Sequence, residues 1–131
     1  MRYLLDVNTL IALEHTRHVH HVRAHQWLQQ AIPGADVLGT CAITELGFVR
    51  VSVQAGLQPD IAMARLALKK MKSSSPVRME LWSDDLGADR LPKYVATPAD
   101  LTDDHLLELA RAHQAQLLTL DGSIPGAMLI P

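Results

Sequence analysis

The sequence is 131 residues long, which is enough for one domain with a buried core and too short for two ordinary domains. Hydrophobic residues make up 48% of the chain and charged residues only 20%, which excludes extensive disorder. The net charge of −2 excludes a uniformly basic surface, so nucleic acid would have to be held by a local patch or by bound cations. We predict a single domain over residues 1–131.

The sequence also bears on the compartment in which the protein works. No apolar run approaches the length that crosses a bilayer, and a strand follows Met1 almost directly, which leaves no room for a signal peptide. The single cysteine, Cys41, cannot form an internal disulfide, which suits a reducing compartment. We therefore expect a cytoplasmic protein with no membrane partner.

The chain begins with a strand that leads directly into a helix. Residues 3–5 are apolar, Asp6 follows them, and Asn8 is a candidate N-cap for a helix whose apolar positions begin at Leu10. Asp60 is a second candidate N-cap. The elements predicted up to residue 76 are strands at 3–5 and 36–41, a first helix after Asn8 with apolar positions at 10, 11 and 13, and helices at 19–31, 42–54 and 61 to about 73.

The second half continues the alternation of strands and helices. We predict strands at 77–82, 116–120 and 127–130, a helix at 101–113 with Thr102 as N-cap, and an irregular segment at 83–98. Strands that alternate with helices indicate an α/β fold, with a parallel sheet covered by helices on both faces.

Acidic residues follow the predicted strands or open the helices after them. Asp6 and Asp121 each end an apolar strand, although an isolated aspartate there is often only a turn residue. Glu45 shares a helix stripe with Ala42, Leu46, Val49 and Val53, so it is expected on the apolar side, where it must be paired, protonated or bound to a cation. Pairing with Arg50 is disfavoured because a five-residue offset puts the two on different helix faces.

Two adjacent aspartates open the helix at 101–113. Both suit the first turn of a helix electrostatically. Asp103 shares its stripe with Leu106, Leu107 and Ala110, which indicates the side that faces the sheet, whereas Asp104 lies on the solvent side. We therefore predict that Asp103 is functional and that Asp104 is capping and solvated.

In a parallel sheet, these four acidic positions share one edge. Four carboxylates there repel one another and need a counter-charge, and the cation that suits oxygen ligands is Mg²⁺ or Mn²⁺. Such a cation supports phosphodiester hydrolysis. Asn8 and Thr119, each two residues from a candidate ligand, are predicted to support the carboxylates by hydrogen bonds.

Four segments also occur in the order and spacing of a known family. They are LLDVN at 4–8, TELGFVRV at 44–51, TDDHLLELA at 102–110 and TLD at 119–121. In these segments, which span nearly the whole chain, the sequence resembles the PIN-domain ribonucleases, and within them the VapC toxins of bacterial toxin–antitoxin systems. One departure is Gly122-Ser123-Ile124, where many members carry a charged residue and an aromatic one.

The resemblance implies a fold, a site and partners. The fold would be a three-layer α/β/α sandwich around a parallel sheet. Asp6, Glu45, Asp103 and Asp121 would bind the metal and catalyse, with Asn8 and Thr119 in support. The substrate would be RNA, the protein would form a homodimer, and a cognate antitoxin protein would block the site.

Basic and histidine-rich stretches allow more than one interpretation. The run of cations around the 61–73 helix is either a solvated helix end or a patch that follows RNA phosphates. His21 and His25 have the i,i+4 spacing of a transition-metal pair, although a polar helix face or RNA contacts also explain them. The possible RNA contacts are Arg50, Arg65, Lys69, Lys70 and Lys72.

Other classes of protein fit the sequence less well. A haloacid-dehalogenase-type phosphatase needs a second aspartate where this chain has Asn8, and a receiver domain needs a late lysine that is absent after Lys93. A binding module could keep the fold and hold RNA or a protein without cleavage, although it would have little use for four converging carboxylates. Metal dependence separates the module from the enzyme.

Overall fold

The computed structural model describes residues 1–35 and 37–131. The strands in this part of the chain are β1 (Arg2–Leu5), β2 (Val37–Thr40), β3 (Met79–Leu81), β4 (Gln116–Thr119) and β5 (Met128–Leu129). The helices are α1 (Val7–Glu14), α2 (His21–Ala31), α3 (Ala42–Gln54), α4 (Ile61–Ser74) and α5 (Leu101–Ala112), and short 3₁₀ turns lie at Ile32–Gly34, Ala88–Arg90 and Pro98–Asp100.

The strands form one sheet in the order β3-β2-β1-β4-β5, and every neighbouring pair is parallel. In the centre of the sheet, Leu4 of β1 is in register with Gly39 of β2 and with Leu117 of β4. Because parallel strands end at the same edge, the residues that follow β1, β2 and β4 meet along one rim of the sheet. The predicted α/β class with a parallel sheet is confirmed.

The two faces of the sheet carry separate hydrophobic clusters, as the alternation of side chains along a strand requires. Leu4 and Leu117 pack with Leu106 and Leu109 of α5 on one face. Leu5 and Leu118 point to the other face and pack in a cluster that includes buried residues of α1, α2, α3 and α4. Helices therefore cover both faces, and the predicted three-layer α/β/α sandwich is confirmed.

The helix at 42–54 has the predicted bounds, whereas each of the other predicted elements differs from the prediction by a few residues at one or both ends. The third strand is shorter than predicted, and Asp36 of the predicted second strand lies outside the described residues. Thr102 is not an N-cap, because the 3₁₀ turn at Pro98–Asp100 leads straight into α5 and puts Asp100 at that position. None of the described helices combines the length and apolarity needed to cross a membrane.

Helix α3 is buried on a different face from the predicted one. Thr44, Gly47, Phe48 and Ser52 are buried, whereas Leu46 of the predicted apolar stripe is 69% exposed. A Cβ on Gly47 would come within 2.6 Å of a methyl group of Val7, so α1 and α3 approach too closely for a larger residue. Apart from Phe48, the buried residues of this face are small or polar, so the hydrophobic pattern indicated the wrong face.

Candidate active site

The central strand β1 brings Asp6 to the edge of the sheet. This side chain is 7% exposed, and its Oδ1 accepts a hydrogen bond of 2.8 Å from the backbone N–H of Val7, which caps α1. The prediction that Asn8 is the cap is therefore wrong, because the Asn8 side chain instead reaches across to β4. Burial raises the pKa of the Asp6 carboxyl, and the Asp121 carboxylate raises it further, against two hydrogen bonds that lower it.

A buried hydroxyl links the ends of β1 and β4. Thr119 Oγ1 donates to Asp6 Oδ2 at 2.8 Å and accepts from Asn8 Nδ2 at 3.1 Å and from the Asp121 N–H at 3.0 Å. A hydroxyl has one proton and two lone pairs, so these contacts use its full hydrogen-bonding capacity. Asn8 Oδ1 also accepts from the Leu120 N–H at 3.1 Å, which fixes the amide. Asn8 and Thr119 thus hold the Asp6 carboxylate at the edge of the sheet.

The first turn of α5 supplies Asp103, which is half-buried. Leu106, Leu107 and Ala110, its predicted stripe neighbours, are all buried. Burial raises the pKa of the Asp103 carboxyl, and the negative charges of Asp6 and Asp121 raise it further, with smaller contributions from Asp104 and Asp100. The side chain of Asp103 therefore lies within electrostatic reach of both strand-end carboxylates.

Asp121 follows β4 in a tight turn. Its Oδ1 accepts hydrogen bonds from the backbone N–H of Ser123 at 2.9 Å and from the Ser123 hydroxyl at 2.7 Å, and both bonds lower the pKa of the Asp121 carboxyl. The side chain is exposed. Asp121 thus has the turn role that the sequence allowed, while its charge also acts on Asp6 and Asp103.

These three aspartates form the acidic edge of the site. Within the described ranges, no ion pair joins Asp6, Asp103 or Asp121 to a lysine, arginine or histidine. In the conformation seen, no group of three or more histidine, cysteine, aspartate or glutamate side chains among the described residues is close enough to hold a metal ion. The acidic edge is an excess of negative charge, and side chains around Asp6 would have to turn towards a shared cation.

Glu45, the fourth predicted acidic residue, is held differently. Its Oε2 accepts hydrogen bonds from Lys72 Nζ at 2.6 Å and from the Thr40 hydroxyl at 2.5 Å, and both side chains of the ion pair are largely buried, with 24% of Lys72 and 22% of Glu45 exposed. Glu45 thus extends from the first turn of α3 to Thr40 at the end of β2, with the cation of Lys72 beside it. The expectation that this carboxylate needs a partner is confirmed, and the partner is Lys72.

Thr40 and Lys72, the two partners of Glu45, were not equally predictable from the sequence. Thr40 ends β2 as Thr119 ends β4, so its position alone could have suggested a contact with a nearby carboxylate. Lys72 lies 27 residues from Glu45 on another helix, and nothing in the local pattern connects them. It was expected as an RNA contact instead.

The other predicted RNA contacts are exposed. Arg50 lies on α3, and Arg65, Lys69 and Lys70 lie on α4. Arg65, Lys69 and Lys72 line an open groove of about 870 Å³ between α3 and α4, and Glu45, Leu46 and Leu66 also line it. Their contact with RNA stays a prediction.

Three histidines between residues 15 and 25 make contacts within the protein itself. His21 Nδ1 lies 2.8 Å from the carbonyl oxygen of Ala12, and His25 Nε2 lies 2.9 Å from that of Leu13. His15 is buried against Phe48, with its Nε2 2.9 Å from the Ser52 hydroxyl. These contacts tie α2 and α3 to the end of α1, which favours the structural interpretation of the histidine-rich stretch.

Comparison with known proteins agrees with this architecture. Residues 3–125 match the PIN domain family model. Among curated proteins of Mycobacterium tuberculosis, ribonuclease VapC38 is 37% identical over 126 residues, covering 92% of this chain and 86% of the relative. Ribonuclease VapC29 is also 37% identical, over 137 residues that cover 100% of this chain and 98% of the relative.

Solved structures match the fold over nearly the whole chain. M. tuberculosis VapC20, described as a toxin that cleaves the sarcin–ricin loop, superposes with a TM-score of 0.66 at 16% identity, covering 98% of this chain and 99% of that one. VapBC2 from Rickettsia felis, solved bound to a promoter DNA fragment, gives a TM-score of 0.56 at 14% identity, covering 98% and 97%. The chain belongs to the PIN-domain family and, within it, to the VapC ribonucleases.

Proposed function

We propose that this protein is the toxin of a toxin–antitoxin pair, an endoribonuclease that depends on Mg²⁺ or Mn²⁺, with residues 1–131 as its one nuclease domain. Membership of the VapC ribonucleases supports RNA cleavage. The observation that carries the metal dependence is the acidic edge, where Asp6 and Asp103 have raised pKa values and no cationic partner among the described side chains. A carboxylate cluster of this kind is stabilised when a divalent cation binds.

The donor set fits a hard cation. All the candidate ligands are carboxylate oxygens, which Mg²⁺ and Mn²⁺ prefer, and no cysteine or histidine lies among them. When bound, such a cation supplies positive charge that stabilises the phosphodiester transition state and helps to activate water. Asp6, Asp103 and Asp121 would bind it, and Glu45 would contribute from the first turn of α3.

The neighbouring residues would orient the carboxylates and attract the RNA. The Thr119 hydroxyl and the Asn8 amide hold Asp6 in place, so little rearrangement of that side chain is needed. Arg65 and Lys69 are exposed near Glu45, where they would attract RNA phosphates that the acidic edge repels.

The partners follow from the same family membership. A cognate antitoxin protein would silence the nuclease, and a second copy of the chain would form a homodimer in the cytoplasm. Leu46 and Ile61, which are 69% and 60% exposed, offer apolar surface beside the groove between α3 and α4 that a protein partner would cover. Light scattering on the purified chain measures whether it is a dimer.

Cleavage of RNA by the purified chain, free of antitoxin, tests the function. We expect cutting with Mg²⁺ or Mn²⁺ that stops in EDTA and resumes when the metal is restored. Asp6→Asn should abolish cutting, whereas Asp60→Asn, the same change at the N-cap of α4, keeps a side-chain oxygen for the cap and should leave the rate unchanged. Cutting that persists in EDTA or in Asp6→Asn would contradict the proposal, and RNA binding without cutting would favour a binding module.

A further inference from the structure

Glu45 receives two hydrogen bonds on the same oxygen atom. Lys72 Nζ and the Thr40 hydroxyl both donate to Oε2, at 2.6 Å and 2.5 Å. Among the described residues, no donor binds Oε1. The carboxylate is therefore held from one side, and its second oxygen is left available.

The two donors come from parts of the fold with little freedom to move. Thr40 is fully buried at the end of β2, and its single proton goes to Glu45 in preference to the Glu80 carbonyl oxygen, which lies 3.5 Å away. Lys72 lies in the last turn of α4, which packs along α3. A rigid hydroxyl and a charge-assisted bond from the neighbouring helix together restrict rotation of the Glu45 side chain.

We propose that Lys72 and Thr40 are positioning residues, which bind Oε2 of Glu45 so that Oε1 is the oxygen offered to the divalent cation. This inference rests on the proposed function, because it requires a cation at the edge of the sheet. Neither residue touches the cation or the RNA in this role. Outer partners of this kind typically contribute 10- to 100-fold to metal affinity or activity.

The proposal predicts the opposite sign from simple electrostatics. Lys72 carries a positive charge, so if it acted only through space, its removal would tighten the binding of a divalent cation. If it positions Glu45, its removal frees the side chain to rotate and weakens binding. Lys69→Met removes the same charge from the same helix and groove without breaking a contact to Glu45, and it is the matched control.

Titration of Mn²⁺ into the folded protein, with free Mn²⁺ measured by electron paramagnetic resonance, tests the proposal without relying on cleavage. We expect Lys72→Met and Thr40→Val each to weaken Mn²⁺ binding by about tenfold. Lys69→Met should bind as well as the wild type or slightly better. Thr40→Ser, which keeps the hydroxyl, should restore most of the affinity.

Variants of Glu45 complete the test. In a Glu45→Gln background, Lys72→Met should have no further effect, because the carboxylate it orients is gone. Tighter binding in Lys72→Met, or an equal loss in both backgrounds, would overturn the proposal. Asp6→Asn distinguishes this failure from a failure of the proposed function. If Asp6→Asn abolishes Mn²⁺ binding while Glu45→Gln leaves the affinity unchanged, the proposed metal site is supported and the positioning role of Lys72 is contradicted.

Discussion

The acidic residues at the edge of the sheet fall into two groups. Asp6, Asp103 and Asp121 repel one another, and the pKa values of Asp6 and Asp103 are raised by burial and then by this repulsion. Glu45, in the first turn of α3, is instead paired with Lys72 and hydrogen-bonded by Thr40 at the end of β2. Among the residues that the structure describes, the three aspartates lack a counter-charge, whereas Glu45 has one in Lys72. Only the aspartates therefore have a strong electrostatic need for a bound cation.

Apart from changes to the aspartates themselves, the largest effect is expected at the hydroxyl that supports Asp6 in the uncompensated group. Thr119→Val removes the donor to Asp6 and the acceptor for Asn8, so Asp6 is no longer fixed. We expect the rate of RNA cleavage to fall by about 10- to 100-fold, the usual effect of losing an outer partner of a metal ligand. Single-turnover rates measure this, with thermal unfolding as the check on folding.

Thr119→Ser is the matched control for that variant. Serine keeps the hydroxyl and loses only a methyl group, so its cleavage rate should stay within a few-fold of the wild type. If Thr119→Val cleaves as fast as Thr119→Ser, the hydroxyl does not hold the site together.

The sequence predicted the uncompensated group better than the compensated one. The direction of both side chains was predictable. Asp6 directly follows a central strand, and Asp103 shares the helical period of the apolar residues that face the sheet. The pairing of Glu45 with Lys72 could not be foreseen, because it depends on how α4 packs along α3. The α3 stripe was misplaced for a related reason, since burial there follows the close approach of Gly47 to Val7 and not hydrophobicity.

A smaller effect is expected on stability in EDTA. The folded-state pKa of Asp103 lies above its ordinary value of 3.8, so its contribution to stability is fully present below pH 3.8 and is lost as the pH rises through the raised value. At pH 7, Asp103→Asn should therefore be more stable than the wild type, by less than about 1 kcal/mol because the group is half-exposed. Urea unfolding at several pH values measures the difference.

Added Mn²⁺ should make the wild type more stable than Asp103→Asn, because the wild type binds the ion more tightly than the variant and is stabilised by binding. Asp104→Asn is the matched control on the same helix turn. A stability gain in Asp103→Asn that is independent of pH would contradict the electrostatic account of the acidic edge.

The smallest effect is expected at the exposed cations near the compensated group. If Arg65 contacts an RNA phosphate, Arg65→Ala should weaken RNA binding in EDTA for all sequences alike and reduce the slope of log affinity against log salt by about 0.7. Lys93→Ala, in the segment between β3 and α5, should leave the slope unchanged. Equal slopes for the wild type and Arg65→Ala would remove Arg65 from the RNA-binding surface.

The central claim is that the uncompensated aspartates bind the cation that cleavage requires. The most direct measurement compares the Mn²⁺-dependent rate of RNA cleavage in wild type, Asp103→Asn and Asp104→Asn, two identical changes at neighbouring positions. The account predicts at least a hundredfold loss for Asp103→Asn, beyond the usual range for an outer partner, and a near wild-type rate for Asp104→Asn. Equal rates for the two variants, or cleavage by Asp103→Asn at the wild-type rate, would contradict it.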